Sequence, residues 1–214
     1  VSSRLAMIAL ETKVKNDSKS VVTAQLSSFI LNSKGAEVKR SVSTLKIKPG
    51  VVEKTKQVID IFNPELWTLE NPYLYKVITQ ISVGGKVVDK YETPLGIRYF
   101  KFDAQKGFML NGVPTKIKGV CMHHDLGCLG AAVNTRAIQR QLEILKEMGC
   151  NGIRCSHNPP APELLDLCDR MGFIVMDESF DMWRKKQTAH DYSRYFNEWH
   201  ERDLTDHVLR DRNH

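Results

Sequence analysis

The sequence predicts two folds in series, an immunoglobulin-like β-sandwich followed by parallel βα units of an α/β sheet or barrel. Two observations carry this. Up to about residue 100, apolar and polar residues alternate in short segments separated by turn signals, the period of half-buried strands. Beyond that point three short apolar runs are separated by helical patterns, and each run ends abruptly in polar residues. Ile117 to Met122 ends in His123-His124-Asp125, Gly152 to Cys155 in Ser156-His157-Asn158-Pro159-Pro160, and Phe173 to Met176 in Asp177-Glu178-Ser179. Parallel strands alternating with helices place successive strand ends on one rim, so the three polar clusters should converge there.

In the first half, alternation recurs at Leu5 to Val14, Val21 to Leu31, Val42 to Ile47, Val51 to Ile61 and Tyr73 to Val83. The separators are Asn16-Asp17-Ser18, Lys34-Gly35 and Gly84-Gly85, the last a two-residue hairpin signal between Gln80-Ile81-Ser82-Val83 and Lys86-Val87-Val88. Six or seven short strands in about 100 residues fit an immunoglobulin-like sandwich. Phe108 to Pro114 then reads as a small hairpin, and Lys116 to Met122 as the first buried strand. A helix follows from Thr135, with Asn134 as N-cap, Ile138, Leu142, Leu145 and Met148 on one face, and a stop at Gly149. A second helix begins near Pro162, packs through Leu164, Cys168 and Met171, and stops at Gly172. A third runs from about Tyr192 to Arg210, with Tyr195, Trp199, Val208 and Leu209 as its packed residues. Three βα units fall short of the eight that close a barrel, so this half reads as part of one.

The 214 residues, 42% hydrophobic and 26% charged, have a globular composition. No apolar stretch approaches the ~20 residues of a membrane helix, so no membrane partner is expected. The chain begins within a strand pattern, which leaves a signal further upstream open, and bacterial cytoplasm and periplasm both remain open. The net charge of +6 comes from Lys and Arg scattered among acids, which reads as a solvated surface with no nucleic-acid partner. Five cysteines, Cys121, Cys128, Cys150, Cys155 and Cys168, form no C-x-x-C pair and read as buried free thiols.

The run Leu66-Trp67-Thr68-Leu69-Glu70-Asn71-Pro72-Tyr73-Leu74-Tyr75, then Gly96-Ile97-Arg98, Phe108-Met109-Leu110-Asn111-Gly112 and Lys118-Gly119-Val120-Cys121-Met122-His123-His124-Asp125, resembles the middle of a family-2 glycoside hydrolase. Arg154-Cys155-Ser156-His157-Asn158-Pro159 and Asp177-Glu178 continue that resemblance in the family's order, over nearly the whole chain. It implies an immunoglobulin-like domain over 1–102 and the first three βα units of a TIM (β/α)8 barrel over 103–214. It also implies a bacterial, β-galactosidase-like O-glycosyl hydrolase acting on an oligosaccharide or glycoside, with no cofactor and no metal; a homo-oligomer stays open.

That family is retaining: one Glu acts as general acid and base, a second as nucleophile, with the carboxyls ~5 to 5.5 Å apart. In relatives the first ends the fourth barrel strand and the second the seventh, so the resemblance puts neither in this chain and predicts that the isolated chain is inactive. Its exposed strand edges predict aggregation or dimerisation. The chain would supply substrate-binding residues: His123, His124, Arg154, His157, Asn158, Asp177 and Glu178. By resemblance His157 contacts sugar hydroxyls, Arg154 orients the nucleophile, and His123 lines the pocket. At His124 the commoner family residue is an acid. Adjacent Asp177 and Glu178 point to opposite faces of their strand, one toward the pocket and one into the wall.

Plainer readings stand beside these. His157 can be a loop histidine bonded to backbone, His123 and His124 one pocket and one packed residue, and Arg154 a structural ion-pair partner. Trp183 can stack on a sugar or seal the rim, and Asn213 and His214 read as structural. A metal-dependent barrel hydrolase using His123, His124, Asp125, His157 and Asp177 is a rival, but adjacent histidines point apart on a strand, unlike a His-x-His pair. A non-catalytic carbohydrate-binding or scaffolding module is another; residues 1 to 100 show no cluster of exposed aromatics.

Overall fold

A computed structural model describes residues 1–214. It divides into two compact units: Val1–Thr68 with Tyr73–Lys101 and Leu110–Val113, and Leu69–Pro72 with Phe102–Met109 and Pro114–His214.

The first unit is the immunoglobulin-like sandwich. Strand β1 (Leu5–Lys15) pairs antiparallel with β4 (Val52–Phe62), in register from Leu5 opposite Phe62 to Lys15 opposite Val52. The second sheet has the order β3 (Glu37–Ile47), β2 (Val22–Leu31), β5 (Leu74–Val83), β6 (Lys86–Gly96). Because side chains alternate along a strand, Ala6 and Ile8 of β1, Ile59 and Ile61 of β4, Ile30 of β2 and Val77 of β5 fall on inner faces and form one cluster with Tyr75 and Ile97. Polar groups inside are paired: buried Ser28 donates its hydroxyl to Gln57 Oε1 at 2.7 Å, and Gln57 Nε2 donates to Ser43 Oγ at 3.0 Å. The Gly84-Gly85 hairpin forms as expected, with φ of 56° and 78°, the positive values a type I′ turn demands. Strand β3 starts at Glu37, five positions before the apolar alternation; its first four residues are exposed, so only backbone pairing with β2 marks it as strand.

A small sheet of β7 (Phe100–Asp103), β8 (Gly107–Leu110) and β9 (Val113–Pro114) follows, its Asn111-Gly112 turn at φ of 51° and 82°.

The second unit opens a TIM barrel. Strands β10 (Gly119–Met122), β11 (Gly152–Cys155) and β12 (Ile174–Met176) are parallel neighbours, with Gly119 opposite Gly152 and Gly152 opposite Ile174. Helix α1 (Thr135–Glu147) joins the first two strands, α2 (Pro162–Met171) the second and third, and α3 (Ser193–Asp211) follows a long loop. The caps agree with the residues: Asn134 Oδ1 accepts from Ala137 N at 3.0 Å, Pro162 opens α2, and Gly172 closes it in the left-handed conformation. Ile138 and Leu142 of α1, Leu164, Leu167 and Cys168 of α2, and Ile153, Cys155 and Phe173 of the sheet share one core. Burying each of the large aliphatic side chains contributes roughly 1.5–3 kcal/mol.

Four expectations are corrected. The first strand is Gly119–Met122, not Lys116–Met122, because Lys118 N bonds the Asn151 side chain instead of a strand. Met148, expected on the packed face of α1, is 70% exposed; it caps the helix rather than continuing its stripe. In α3 the buried residues are Phe196, His207 and Asp211, whereas Tyr195, Trp199, Val208 and Leu209 are exposed. That helix meets the unit through one aromatic ring, Phe196, and through His207 and Asp211, which are held by polar contacts, so its aliphatic residues did not mark the contact. The thiols are free, but only Cys155 and Cys168 are buried; Cys121 and Cys128 are exposed.

Candidate active site

Parallel pairing brings the ends of β10, β11 and β12 to one edge, and the three polar clusters follow them there. The imidazoles of His123 and His157 meet edge to face, with centroids 5.7 Å apart. A hollow of only about 30 Å³ lies between this edge and the helices, with His123, His124 and Asn158 on one side and Ile138 of α1 and Leu164 of α2 on the other. A broader cleft, about 680 Å³, is lined by His157, Asn158, Ser179, Tyr192, His207 and Arg210, among others. Asn158 borders both.

Arg154 and Glu178 form a two-pronged ion pair, Nε to Oε1 and Nη2 to Oε2, the second contact at 3.0 Å. The planar guanidinium matches a carboxylate in this way. The bond to Glu178 raises the Arg154 pKa above its ordinary value. Nη1 of the same guanidinium lies 3.5 Å from Cys121 Sγ, and this bond holds that exposed thiol below the usual thiol range. One strand over, burial pushes the Cys155 thiol up to about 12.

The remaining expected residues separate. His124 Nε2 lies 2.9 Å from the Ala131 carbonyl oxygen, which ties the ring to the loop after β10. Asn158 Nδ2 donates to the Pro159 carbonyl at 3.3 Å. Asp125 accepts from Gly127 N at 2.6 Å. Asp177 and Glu178, which follow the end of β12 at Met176, diverge: Glu178 goes to Arg154, and Asp177 to His207 of α3, with Oδ2 2.9 Å from Nε2. Trp183 is 67% exposed, with its ring stacked 6.3 Å from Phe196. His214 Nδ1 lies 2.8 Å from Asp169 Oδ2.

Sequence reasoning missed the cluster around His207. This ring is 8% exposed; Nδ1 lies 2.7 Å from Ser179 Oγ, and Nε2 lies between Asp177 Oδ2 and Asp211 Oδ2, the latter at 3.1 Å. Arg210 grips Asp211 through both oxygens at 2.6 Å. Burial raises the Asp177 pKa; at Asp211 burial acts the same way, but Arg210 outweighs it and holds that carboxyl low. The signal in the sequence was the i, i+4 pair His207 and Asp211, which shares one helix face.

The family descriptions Glycosyl hydrolases family 2 and Glycosyl hydrolases family 2, TIM barrel domain, match residues 1–98 and 103–214. Beta-galactosidase BoGH2A of Bacteroides ovatus is 59% identical over 214 residues, which is 100% of this chain and 25% of that protein. A beta-glucuronidase of Formosa agariphila is 34% identical over 178 residues, 82% of this chain and 18% of that protein. Among solved structures, a glycosyl hydrolase family 2 member from Bacteroides cellulosilyticus superposes with TM-score 0.92 at 38% identity, covering 100% of this chain and 28% of that one. Bacteroides uniformis beta-glucuronidase gives TM-score 0.90 at 29% identity, covering 100% and 25%. The chain thus spans about a quarter of the length of these relatives, from 18% to 28%. With both halves matched in order and the full length aligned to a relative at 59% identity, the chain belongs to glycosyl hydrolase family 2.

Proposed function

We propose that this chain supplies the sugar-binding side of a retaining, β-galactosidase-type active site, with a domain boundary at 102/103 and with the acid/base and nucleophile carboxylates contributed by polypeptide outside it. The observation that carries this is at the β10–β12 strand ends: the imidazoles of His123 and His157 meet edge to face, and on β11 the Arg154 guanidinium is fixed by a fork to Glu178. Imidazoles donate to and accept from hydroxyls, the groups a pyranose presents. To Arg154 we assign the orienting of the nucleophile carboxylate, whose ionised form a nearby guanidinium favours; its ion pair with Glu178, which fixes the side chain, supports that reading. Asn158 borders the broader cleft that His157 also lines. His124 and Asp177, tied to Ala131 and His207, act as the wall of the site. The 59% identity to a β-galactosidase, against 43% to a putative β-glucuronidase and 34% to a β-glucuronidase, favours a galactoside substrate.

The test is a graft in which this chain replaces the matching quarter of the Bacteroides ovatus enzyme. It should hydrolyse a chromogenic β-galactoside in preference to the β-glucuronide, and His157→Ala should cut kcat/KM by about 100-fold, the scale of a lost charge-assisted or buried hydrogen bond (~2.7 kcal/mol). Undiminished activity in His157→Ala would refute the role assigned to it, as would turnover of the galactoside by the 214-residue chain alone for the missing carboxylates.

A further inference from the structure

We propose that Asp177, His207 and Asp211 form a binding site for a divalent first-row transition-metal ion of the Mn²⁺ type, a reading that does not depend on the sugar-binding one. The three ligand atoms lie within 4.8 Å of one another. His207 Nε2 stands 2.9 Å from Asp177 Oδ2 and 3.1 Å from Asp211 Oδ2, yet it is buried and makes no directed hydrogen bond to either. A proton on Nε2 would miss both oxygens; a lone pair there faces the gap between them. Adjacent ligands around a six-coordinate ion with bonds of ~2.1 Å sit about 3 Å apart, close to both spacings.

The surroundings fit. With its proton on Nδ1, the ring donates to Ser179 Oγ at 2.7 Å, the outer bond that fixes a metal-binding tautomer. Two carboxylates and the Arg210 guanidinium leave one net negative charge, since Arg210 pairs with Asp211 and Asp177 has no guanidinium or ammonium partner. The Asp177 side chain is 26% exposed and Ser179, His207 and Arg210 line the cleft, which gives the ion entry and leaves room for water ligands. One imidazole with two carboxylates suits Mn²⁺ or Zn²⁺ better than Ca²⁺, which takes oxygens at longer range.

The experiment is calorimetric titration of the 214-residue chain with MnCl₂, beside Asp177→Asn and Ser179→Ala, and ¹⁵N NMR of the His207 ring with ZnCl₂. Expected are one ion per chain and affinity weakened at least tenfold in Asp177→Asn and about tenfold in Ser179→Ala, which keeps every ligand. On Zn²⁺ the Nε2 resonance should move while Nδ1 stays protonated. No saturable binding up to about 1 mM, equal affinity in all three chains, or a His207 ring protonated on both nitrogens and indifferent to Zn²⁺ would overturn the site in favour of an imidazolium between two carboxylates.

Discussion

Replacing Gly172 by alanine tests how the second unit is closed. Gly172 ends α2 at φ 75° and ψ 55°. A Cβ there would meet the Leu69 carbonyl oxygen at 2.3 Å and its carbon at 3.0 Å. The left-handed backbone alone costs an alanine about 1–2 kcal/mol. The contact is with backbone, so no rotamer change relieves it. Leu69 O is also held by Lys146 Nζ at 3.0 Å, and the same ammonium binds Gly172 O at 3.0 Å. Moving Leu69 away weakens a half-buried, charge-assisted bond whose loss costs about 1.5–3 kcal/mol. Together Gly172→Ala should destabilise by roughly 2.5–5 kcal/mol. Gly149 is the control: its φ is 84°, but an added Cβ meets nothing within 4 Å, so Gly149→Ala should cost only the conformational ~1–2 kcal/mol. Urea unfolding followed by the far-UV helical signal reads the second unit, because all three helices lie there. Equal destabilisation by the two substitutions, within about 0.5 kcal/mol, would refute the steric argument.

In the sandwich, Ser28→Ala leaves Gln57 Oε1 buried without its donor and should cost about 1–3 kcal/mol by denaturant melting; no loss would mean that Gln57 finds another partner. Arg154→Ala should slow alkylation of Cys121 by iodoacetamide at neutral pH, because the guanidinium bond that lowers that thiol is gone, whereas Cys155 should stay unlabelled in both proteins. The Asp169 bond raises the His214 pKa, so its contribution to stability is complete below the unfolded value of about 6.5 and fades as pH rises through the higher folded value. Melting temperature measured from about pH 6 to pH 8 should therefore fall less steeply in Asp169→Asn than in the parent.

Much of this fold was written in local pattern. Alternation located the sandwich strands, and Asn134, Pro162 and Gly172 marked helix ends because capping is a property of a few adjacent residues. The strand-end clusters were legible because parallel topology fixes which ends meet. The buried face of α3 was not. Periodicity weighs apolar residues, and that helix is buried through Phe196, His207 and Asp211 while its valine, leucine and tryptophan stay exposed. Adjacency suggested that Asp177 and Glu178 would point apart, but they lie past the end of β12 and their partners were not legible, since Arg154 and His207 reach them from another strand and a helix. Burial of Cys121 was misjudged for a related reason: its side chain stands on the face of β10 shared with Arg154.

The central claim is that the β10–β12 strand ends hold the sugar. A crystal structure of the grafted enzyme with bound galactose tests it most directly. The account predicts His123 and His157 nitrogens within about 2.6–3.2 Å of sugar hydroxyls, with Arg154 beside the nucleophile carboxylate. Galactose bound away from that edge, or seated with both imidazoles out of reach, would contradict it.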